Sequence, residues 1–194
     1  MKSIVFVDSE VGLDGKLLDI GAVKEGARFH SGSKSQFREF VSGSEYICGH
    51  NILEHDLKYI GDIFESGQVF IDTLYLSPLL FPRRPYHALL KDDKLQTDEL
   101  NNPLNDSIKA MRLFYDEVNA FHELRPGLKR IYCSLLYRFP EFRGFFRYCG
   151  IETLPDVSQV VRIEFDGIIC SNVDIDTFVK NSPIELAYAL AMIG

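Results

Sequence analysis

The sequence predicts an α/β domain in which helices flank a mixed β-sheet, followed by a helical C-terminal extension. Apolar, β-branched runs of strand length dominate the first half of the chain. Amphipathic helical patterns dominate the second half, and turn residues separate the runs. Strands that come first and helices that come later are typical of a mixed sheet covered by helices. The length of 194 residues suits one such domain with an appendage.

The predicted strands lie in the first half of the chain. The run SIVFVD at residues 3–8 is apolar and β-branched, which predicts a buried strand. Residues 16–24 predict a second strand, after a turn supplied by Gly12, Asp14 and Gly15. Shorter strands are predicted at residues 27–30, 45–48 and 69–71. These strands are enough for one sheet.

Two short helices are predicted between the strands. Ser33 or Ser35 is a suitable cap for the first, which ends at Gly43. The second runs from about Leu53 to Phe64, with Asn51 as its cap. Both present one apolar stripe to the sheet.

The rest of the chain is predicted to be mostly helical. Residues 73–80 form a short helix, and the proline-containing segment 81–87 a loop. A long helix begins near Pro103, because Asn102 and Pro103 form a good cap and first-turn pair. Its predicted core residues are Ile108, Met111, Phe114, Val118 and Phe121. From Arg125 onward the pattern is helical.

Composition excludes several classes of protein. No run of 18 apolar residues predicts a membrane span, and the start MKSIVFVDSE is unlike a secretory signal. The four cysteines lack the spacing of a zinc site, which favours thiols in a reducing compartment and predicts a cytoplasmic protein. The net charge of −7 weighs against nucleic-acid binding, unless bound cations reverse the sign locally.

Acidic residues follow the first predicted strand. Asp8 and Glu10 lie two positions apart, so both carboxylates point to one face and are able to reach one cation. The alternative is a pair of solvated acids at the end of a strand. Taken alone, the D-x-E pattern does not distinguish the two interpretations.

Two further acids stand near predicted helix starts. Asp56 follows a strand and a Gly-His-Asn turn, close to the positive end of a helix dipole. Asp106 falls in or just after the first turn of the long helix. Each is also explained as an acid that stabilises the helix dipole. The four acids together, in this order along the chain, are a more specific indication of a metal site than any one of them.

The order of these segments resembles the DEDD exonuclease superfamily, which includes proofreading subunits and ribonuclease T. The segments that carry the resemblance are FVDSE with LLDIGAV, then GHNILEHD, IDTLYLSPLLFP and NNPLNDSIKAMRLF. They cover residues 3 to about 121. The resemblance implies a ribonuclease-H-like fold, with a mixed β-sheet flanked by helices, and 3′-to-5′ exonuclease activity.

The resemblance also implies a two-metal site with Mg²⁺ or Mn²⁺, hard cations that prefer oxygen ligands. Asp8 would bridge both ions. Glu10 and Asp106 would help to hold the first, and Asp56 would support the second, largely through water. One ion would activate a water and the other would stabilise the leaving 3′ oxygen, which releases a nucleoside 5′-monophosphate.

The family's general base has no counterpart at its usual position. It is a His five residues before the last acid or a Tyr four residues before it, and Asn101 and Asn102 stand there. His87, after a proline-rich loop, is a candidate substitute for catalysis or a contact to the substrate backbone. His50 and His55 are interpreted as structural.

Candidate substrate contacts lie near the second motif and the following loop. They are Asn51, Arg83, Arg84 and His87, with Lys91 and Lys94 beyond. A later segment mixes Arg138, Arg143 and Arg147 with aromatic residues. Such a mixture stacks on bases in some proteins, but phenylalanines at helical spacing are more often core.

A narrower resemblance is to the N-terminal exonuclease domain fused to bacterial RecQ-type DNA helicases. It rests on ICGHNILEHDLKYI, DTLYLSPLLFP, PYHALLKDDKL and NNPLNDS. It implies an exonuclease domain at residues 1–124, a helical extension at 125–194 that leads to a helicase domain, and a role in DNA repair or recombination. Single-stranded or unwound DNA is then favoured over RNA. A catalytically weakened DNA-binding module and an exoribonuclease remain the alternatives.

Overall fold

The chain divides into two compact units, which are described separately. A computed structural model of the protein describes residues 2–89, 102–151, 153 and 156–194. The first unit consists of residues 1–74 and 87–116, and the second of residues 75–86 and 117–194. The predicted boundary between an exonuclease domain and its extension, at residues 124 and 125, stays a prediction.

A mixed sheet of five strands, all within the described residues, is the basis of the first unit. The strands are β1 (Ile4–Val11), β2 (Leu17–Lys24), β3 (Ala27–His30), β4 (Tyr46–Gly49) and β5 (Val69–Asp72). Their spatial order is β3-β2-β1-β4-β5. The first three are antiparallel, and β4 and β5 run parallel to β1. All five predicted strands are confirmed, although β1 continues to Val11 instead of ending at Asp8.

The two faces of β1 have different neighbours. Val5 and Val7 lie on one face, in an apolar cluster of fully buried side chains. Phe6 lies on the other face, where its ring is 5.5 Å from that of Phe114 and 5.7 Å from that of Tyr115. The buried members of the apolar cluster are Val5, Val7, Ile20, Ala22, Phe37, Val41, Ile47, Ile52, Ile60 and Ile63. Burial on both faces explains why β1 is almost continuously apolar up to Asp8.

Helix α1 (Lys34–Val41) agrees with its predicted cap. The hydroxyl of Ser33 accepts a hydrogen bond from the backbone N–H of Gln36, which satisfies one donor of the first turn. Phe37 and Val41 are buried on its inner face. The alternative cap, Ser35, is the second residue of the helix and is exposed.

The helix predicted from Leu53 to Phe64 is wrong in its extent. Helix α2 covers only Leu57–Ile60 and is followed by a 3-10 turn at Gly61–Ile63. Asn51 is not its cap, because the backbone of Asn51 has a φ of 66° in the left-handed region. The residues from 51 to 56 form turns instead. Asp56 therefore precedes a helix of one turn rather than lying inside a long one.

Helices α3 (Thr73–Leu80) and α4 (Pro103–Glu123) lie where the sequence predicts them. The side-chain oxygen of Asn102 accepts hydrogen bonds from the N–H groups of Leu104 (3.0 Å) and Asn105 (3.4 Å), which confirms the predicted cap. The predicted core face of α4 is only partly correct, since Ile108, Met111 and Val118 are partly exposed. The buried residues of α4 are Pro103, Ser107, Ala110, Phe114, Glu117 and Phe121.

The second unit is helical around an aromatic core. Its later helices are α5 (Pro126–Leu136), α6 (Pro140–Cys149), α7 (Val157–Glu164), α8 (Ile175–Asn181) and α9 (Pro183–Ile193). The ring of Phe121 lies 5.3 Å from that of Phe145 and 5.7 Å from that of Phe146. In the described part of the chain, every helix is too short or too polar to cross a membrane.

Candidate functional site

Two predicted site residues, Asp8 and Glu10, lie on one face of β1. Asp8 is opposite Gly21 of β2, and Glu10 is opposite Asp19. Phe6 lies on the same face, so this is the face that α4 covers. The structure confirms that the two carboxylates share a face, and both residues are partly exposed. They stand beyond the part of β1 that pairs with β4, which ends at Phe6.

Gly21 fixes where α4 begins relative to these carboxylates. A Cβ atom at Gly21 would lie 2.0 Å from the backbone nitrogen of Leu104 and 2.1 Å from the carbonyl carbon of Pro103. Only a residue without a side chain permits this approach. Because Gly21 is the direct partner of Asp8, the first turn of α4 lies against the sheet at the level of the Asp8–Gly21 pair. Asp106 belongs to that turn.

The carboxylate of Asp106 has a local partner. Its Oδ1 lies 3.1 Å from Nζ of Lys109, one turn later on the same helix. Both side chains are about a quarter exposed. The ammonium neutralises this carboxylate, so a metal ion at Asp106 would compete with Lys109.

Asp56 is held against β1 by Ser9, the residue between Asp8 and Glu10. Its Oδ1 accepts hydrogen bonds from the backbone N–H of Ser9 at 2.8 Å and from the Ser9 hydroxyl at 2.6 Å. The side chain is 1% exposed. Its Oδ2 is buried and has no hydrogen-bond partner among the described residues. A buried carboxylate oxygen in this condition favours a cation or a water as its neighbour.

Asp72 and Thr73, at the end of β5, hold the turn that leads to Asp56. Asp72 is fully buried and accepts hydrogen bonds from the N–H groups of Asn51 (2.8 Å), Leu53 (3.1 Å) and Leu74 (3.0 Å). The Thr73 hydroxyl donates to the carbonyl of Gly49 at 3.3 Å. The turn therefore depends on side chains about 20 residues further along the chain.

The hydroxyl of Thr73 also defines the state of His50. Nδ1 of His50 lies 2.8 Å from Oγ1 of Thr73, and since that hydroxyl already donates to Gly49, Nδ1 carries the proton and donates. Burial lowers the pKa of His50 to about 4, although the charges of Asp56 and Asp106 act in the opposite direction. His50 is therefore a neutral imidazole at neutral pH.

Two other groups report on the charges around Asp56. The pKa of His55 is raised, first by its interaction with Asp56, whose Oδ1 is 3.8 Å from Nδ1, and also by the charge of Glu10. The pKa of Asp72 is raised chiefly by burial, with a smaller contribution from Asp56. The charges of Asp56 and Glu10 both act on His55, and those of Asp56 and Asp106 both act on His50. Each pair of acids therefore lies around one histidine.

The four acids match a hard divalent cation in chemistry, because all their donors are carboxylate oxygens. The buried Oδ2 of Asp56 also suits such an ion. Across the described residues, however, no three side chains of Asp, Glu, His or Cys form a group that could hold a metal ion. The acids are gathered around one strand end, and their side chains are not arranged as ligands.

The predicted substrate contacts are spread over both units. Asn51 has a left-handed backbone, and His87 is a partly exposed residue of the first unit. Arg83 and Arg84 are exposed residues of the second unit, and the guanidinium of Arg84 lies 3.7 Å from the centre of the Phe81 ring. Asn101, Lys91 and Lys94 lie outside the described residues.

The arginine- and phenylalanine-rich segment has a structural explanation. Phe142, Phe145 and Phe146 are buried in the core of the second unit, which confirms that these rings are packing residues. Arg143 donates to the carbonyls of Tyr137 (3.3 Å) and Arg138 (2.7 Å) after the end of α5. These three buried rings are therefore not exposed for stacking on bases.

Several residues that arrange the site have no predicted role. Ser9, Gly21 and Asp72 lie inside the segments FVDSE, LLDIGAV and IDTLYLSPLLFP, but no role was predicted for any of them. His30, which had no predicted role, lies 2.6 Å from Asp19 through its Nε2. It is opposite Gly21 on β3. Alternation in β2 was the one available signal, because it places Asp19 and Gly21 on one face.

Comparison with known proteins adds no relative to this description. Neither a protein-family model, nor a curated protein, nor a solved structure matches the chain. A function for this chain therefore has to be inferred from the acids near the end of β1 and not from similar proteins.

Proposed function

We propose that this chain is a metal-dependent 3′-to-5′ exonuclease of the DEDD type that hydrolyses phosphodiester bonds at the 3′ end of DNA. The observation that carries the proposal is the meeting of three segments at one strand end. Ser9 binds Asp56 between Asp8 and Glu10, and the turn that holds Asp106 lies on Gly21, opposite Asp8. The resemblance of the sequence motifs requires these segments to be neighbours.

The sheet supports the same proposal. Three antiparallel strands followed by two parallel strands, in the order β3-β2-β1-β4-β5, are compatible with the ribonuclease-H-like fold that the resemblance implies. The acids stand at the carboxyl end of β1, and the turn from residue 50 to 56 follows the same end of β4. Sites in sheets with parallel strands gather at that edge.

Asp8, Glu10, Asp56 and Asp106 would hold two Mg²⁺ or Mn²⁺ ions. The ions would supply an activated water and would stabilise charge on the leaving oxygen. A metal ion at Oδ1 of Asp106 would compete with Lys109, whose ammonium lies 3.1 Å from that oxygen. Ligation would also neutralise part of the negative charge that the acids contribute to a chain of net charge −7, which favours contact with phosphates.

The remaining residues would contribute to substrate binding. Asn51, at the start of the turn that leads to Asp56, and His87 belong to the first unit, as the four acids do. Arg83 and Arg84 are exposed cations suited to phosphate oxygens. The side-chain oxygen of Asn102 caps α4, and an amide does not take up a proton at neutral pH, so His87 is the proposed substitute for the general base.

A DNA-binding module with weakened catalysis is the second candidate. The ion pair between Asp106 and Lys109, and the lack of a three-ligand group within the described residues, favour it. Such a module would bind a 3′ end without cleaving it, and would position DNA for a partner helicase. An RNA-directed exonuclease would share the chemistry and differ only in substrate.

End-labelled single-stranded DNA and RNA, incubated with Mn²⁺ or with chelator, test these functions. We expect shortening from the 3′ end that requires metal and falls by more than about 100-fold in Asp8→Asn, which removes a predicted ligand. Asp14→Asn is the matched control, because Asp14 is an exposed acid in the turn after β1. Equal cleavage by both variants would contradict the proposal. Binding of DNA without cleavage would favour the module, and faster cleavage of RNA the exoribonuclease.

A further inference from the structure

Asp72 is a fully buried carboxylate whose two oxygens are both used by backbone donors. Its Oδ1 accepts from the N–H groups of Asn51 and Leu74, and its Oδ2 accepts from Leu53. Two of these donors belong to the turn after β4, and the third to the start of α3. A buried charge held by three donors shows the satisfaction expected of a group with a defined structural task.

The turn itself is hydrogen-bonded as one piece from Asn51 to Leu57. The carbonyl of Asn51 accepts from the N–H of His55 at 2.9 Å, and the carbonyl of Ile52 accepts from the N–H of Leu57 at 3.0 Å. Asn51 has the left-handed φ of 66°, which is unfavourable for most residues and is tolerated by Asn. The hydrogen bond from Asn51 to Asp72 holds this conformation in place. A displacement at Asn51 or Leu53 is therefore passed on to the residues around Asp56.

The Asp56 carboxylate is hydrogen-bonded to β1, and within its own turn it has a longer contact of 3.8 Å with Nδ1 of His55. Both hydrogen bonds to its carboxylate come from Ser9, through the backbone N–H and the hydroxyl. They join residues 47 positions apart in the chain. The Asp56 side chain thus has a fixed position only while the turn and β1 keep their present separation.

We propose that Asp72 is a positioning residue for Asp56, which acts through the amides of Asn51 and Leu53 to keep the Asp56 carboxylate on Ser9. The catalytic consequence of this role rests on the exonuclease function proposed above. The structural part does not, because it concerns hydrogen bonds between Asp72, the turn and β1. Partners that hold a ligating carboxylate in place typically change metal affinity or activity by about 10- to 100-fold when they are removed.

Asp72→Asn is the sharpest variant, because it keeps the shape of the side chain and replaces one acceptor oxygen with a donor amide. The orientation of the new amide that keeps two of the three hydrogen bonds places its N–H₂ group at the position of Oδ2, so the N–H of Leu53 loses its acceptor. Asp62→Asn is the matched control, since Asp62 is an exposed acid of the same unit whose carboxylate pairs with Lys34. Any general effect of removing a negative charge appears in both variants.

Amide hydrogen exchange followed by NMR gives a readout that does not need nuclease activity. In Asp72→Asn we expect faster exchange at Leu53 and, by about tenfold or more, at the amide of Ser9, which donates to Asp56. Asp62→Asn should leave both amides unchanged. Faster exchange at Leu53 with wild-type exchange at Ser9 would overturn the proposal, because Asp72 would then hold only its own turn.

Kinetics test the catalytic consequence on the same variants. For a wild-type chain that cleaves DNA, Asp72→Asn should need about 10- to 100-fold more Mn²⁺ or lose as much in kcat, with an unchanged KM for DNA. Activity equal to that of Asp62→Asn would overturn this role. A wild-type chain without nuclease activity would refute the exonuclease function instead, and exchange at Ser9 would still decide the positioning role.

A variant that fails to fold does not end the test. Native-state exchange of the wild type in low denaturant measures the opening free energy at each amide. If Asp72 couples the turn to β1, the amides of Asn51, Leu53 and Ser9 should open together, with protection that agrees within about threefold. Protection at Ser9 more than about tenfold above that at Leu53 would overturn the proposal.

Discussion

Two segments bring acids to the same end of β1, and they hold those acids in opposite ways. The turn from residue 50 to 56 fixes Asp56 through hydrogen bonds to distant residues, Ser9 on one side and Asp72 on the other. The first turn of α4 carries Asp106 on a regular helix. The ion pair described for the Asp106 carboxylate is with Lys109, one turn later on the same helix. The position of α4 depends on the missing side chain of Gly21.

The difference teaches that a carboxylate is placed either by its own hydrogen bonds or by the element that carries it. Asp56 lies in an irregular turn and needs polar partners to define its position. Asp106 needs none, because a rigid helix docked against a strand already defines it. The two segments should therefore respond to different mutations: polar ones for the turn, and steric ones for the helix.

The steric side of the comparison is tested by Gly21→Val, the change with the largest expected effect. Its side chain would overlap the backbone of Pro103 and Leu104, so α4 has to move away from β2. We expect a loss of about 3 kcal/mol or more in the free energy of unfolding, measured by urea denaturation. Gly61→Ala is the control, because a Cβ there meets nothing closer than 3.8 Å. Equal stability of the two variants would mean that α4 does not depend on Gly21.

The turn is tested by pH through His50. Burial lowers its pKa from 6.5 to about 4. Between these two pH values, His50 binds a proton in the unfolded chain but not in the folded chain. Stability from this group is complete above pH 6.5 and is lost as the pH falls toward 4, by up to about 3 kcal/mol. Urea denaturation of the wild type and His50→Gln between pH 7 and pH 4 measures it. Parallel stability curves would contradict the assigned neutral state.

The polar side of the comparison is tested by Ser9→Ala. This variant removes the hydroxyl that donates to Asp56 and keeps the backbone donor. One hydrogen bond to a charged acceptor is lost, so the free energy of unfolding should fall by about 2 kcal/mol. Ser66→Ala, at an exposed serine in the turn before β5, should change it by less than about 0.5 kcal/mol. A small and equal change in both would show that the backbone of Ser9 holds Asp56 alone.

The smallest effect on stability is expected for Lys109→Gln, which sharpens the contrast between the segments. A partly exposed ion pair contributes about 0–1 kcal/mol, so folding should hardly change. For a chain that cleaves DNA as proposed above, removal of the competing ammonium should instead lower the Mn²⁺ concentration needed for half-maximal cleavage. Lys58→Gln, from an exposed pair with Glu54, is the control. An unchanged Mn²⁺ requirement would argue against Asp106 as a ligand.

The sequence predicted the parts of the fold that are encoded locally. The strand from Ile4, the cap at Ser33 and the cap at Asn102 follow from residues within one or two turns of the feature they form. The turn after Gly49 did not follow, because its conformation depends on Asp72, a residue that sequence proximity does not connect to it. Local patterns favoured a longer helix there.

The same limit applies to the site. Alternation correctly placed Asp8 and Glu10 on one face, since the period of a strand is local. The core face of α4 was predicted only in part: Phe114 and Phe121 are buried as expected, whereas Ile108, Met111 and Val118 are partly exposed. Ala110, which was not predicted, is buried on the face where Phe114 packs against Phe6 of β1. Which stripe is buried is decided by the partner surface, which the sequence of one helix does not contain.

The contact between α4 and Gly21 also has a kinetic consequence. The hairpin of β1 and β2 joins residues close in sequence, whereas the docking of Leu104 on Gly21 closes a much longer loop. Contacts across long loops tend to form late, because their closure entropy has to be met first. Docking of α4 should follow the transition state for folding, so a bulkier residue at position 21 will accelerate unfolding far more than it slows refolding.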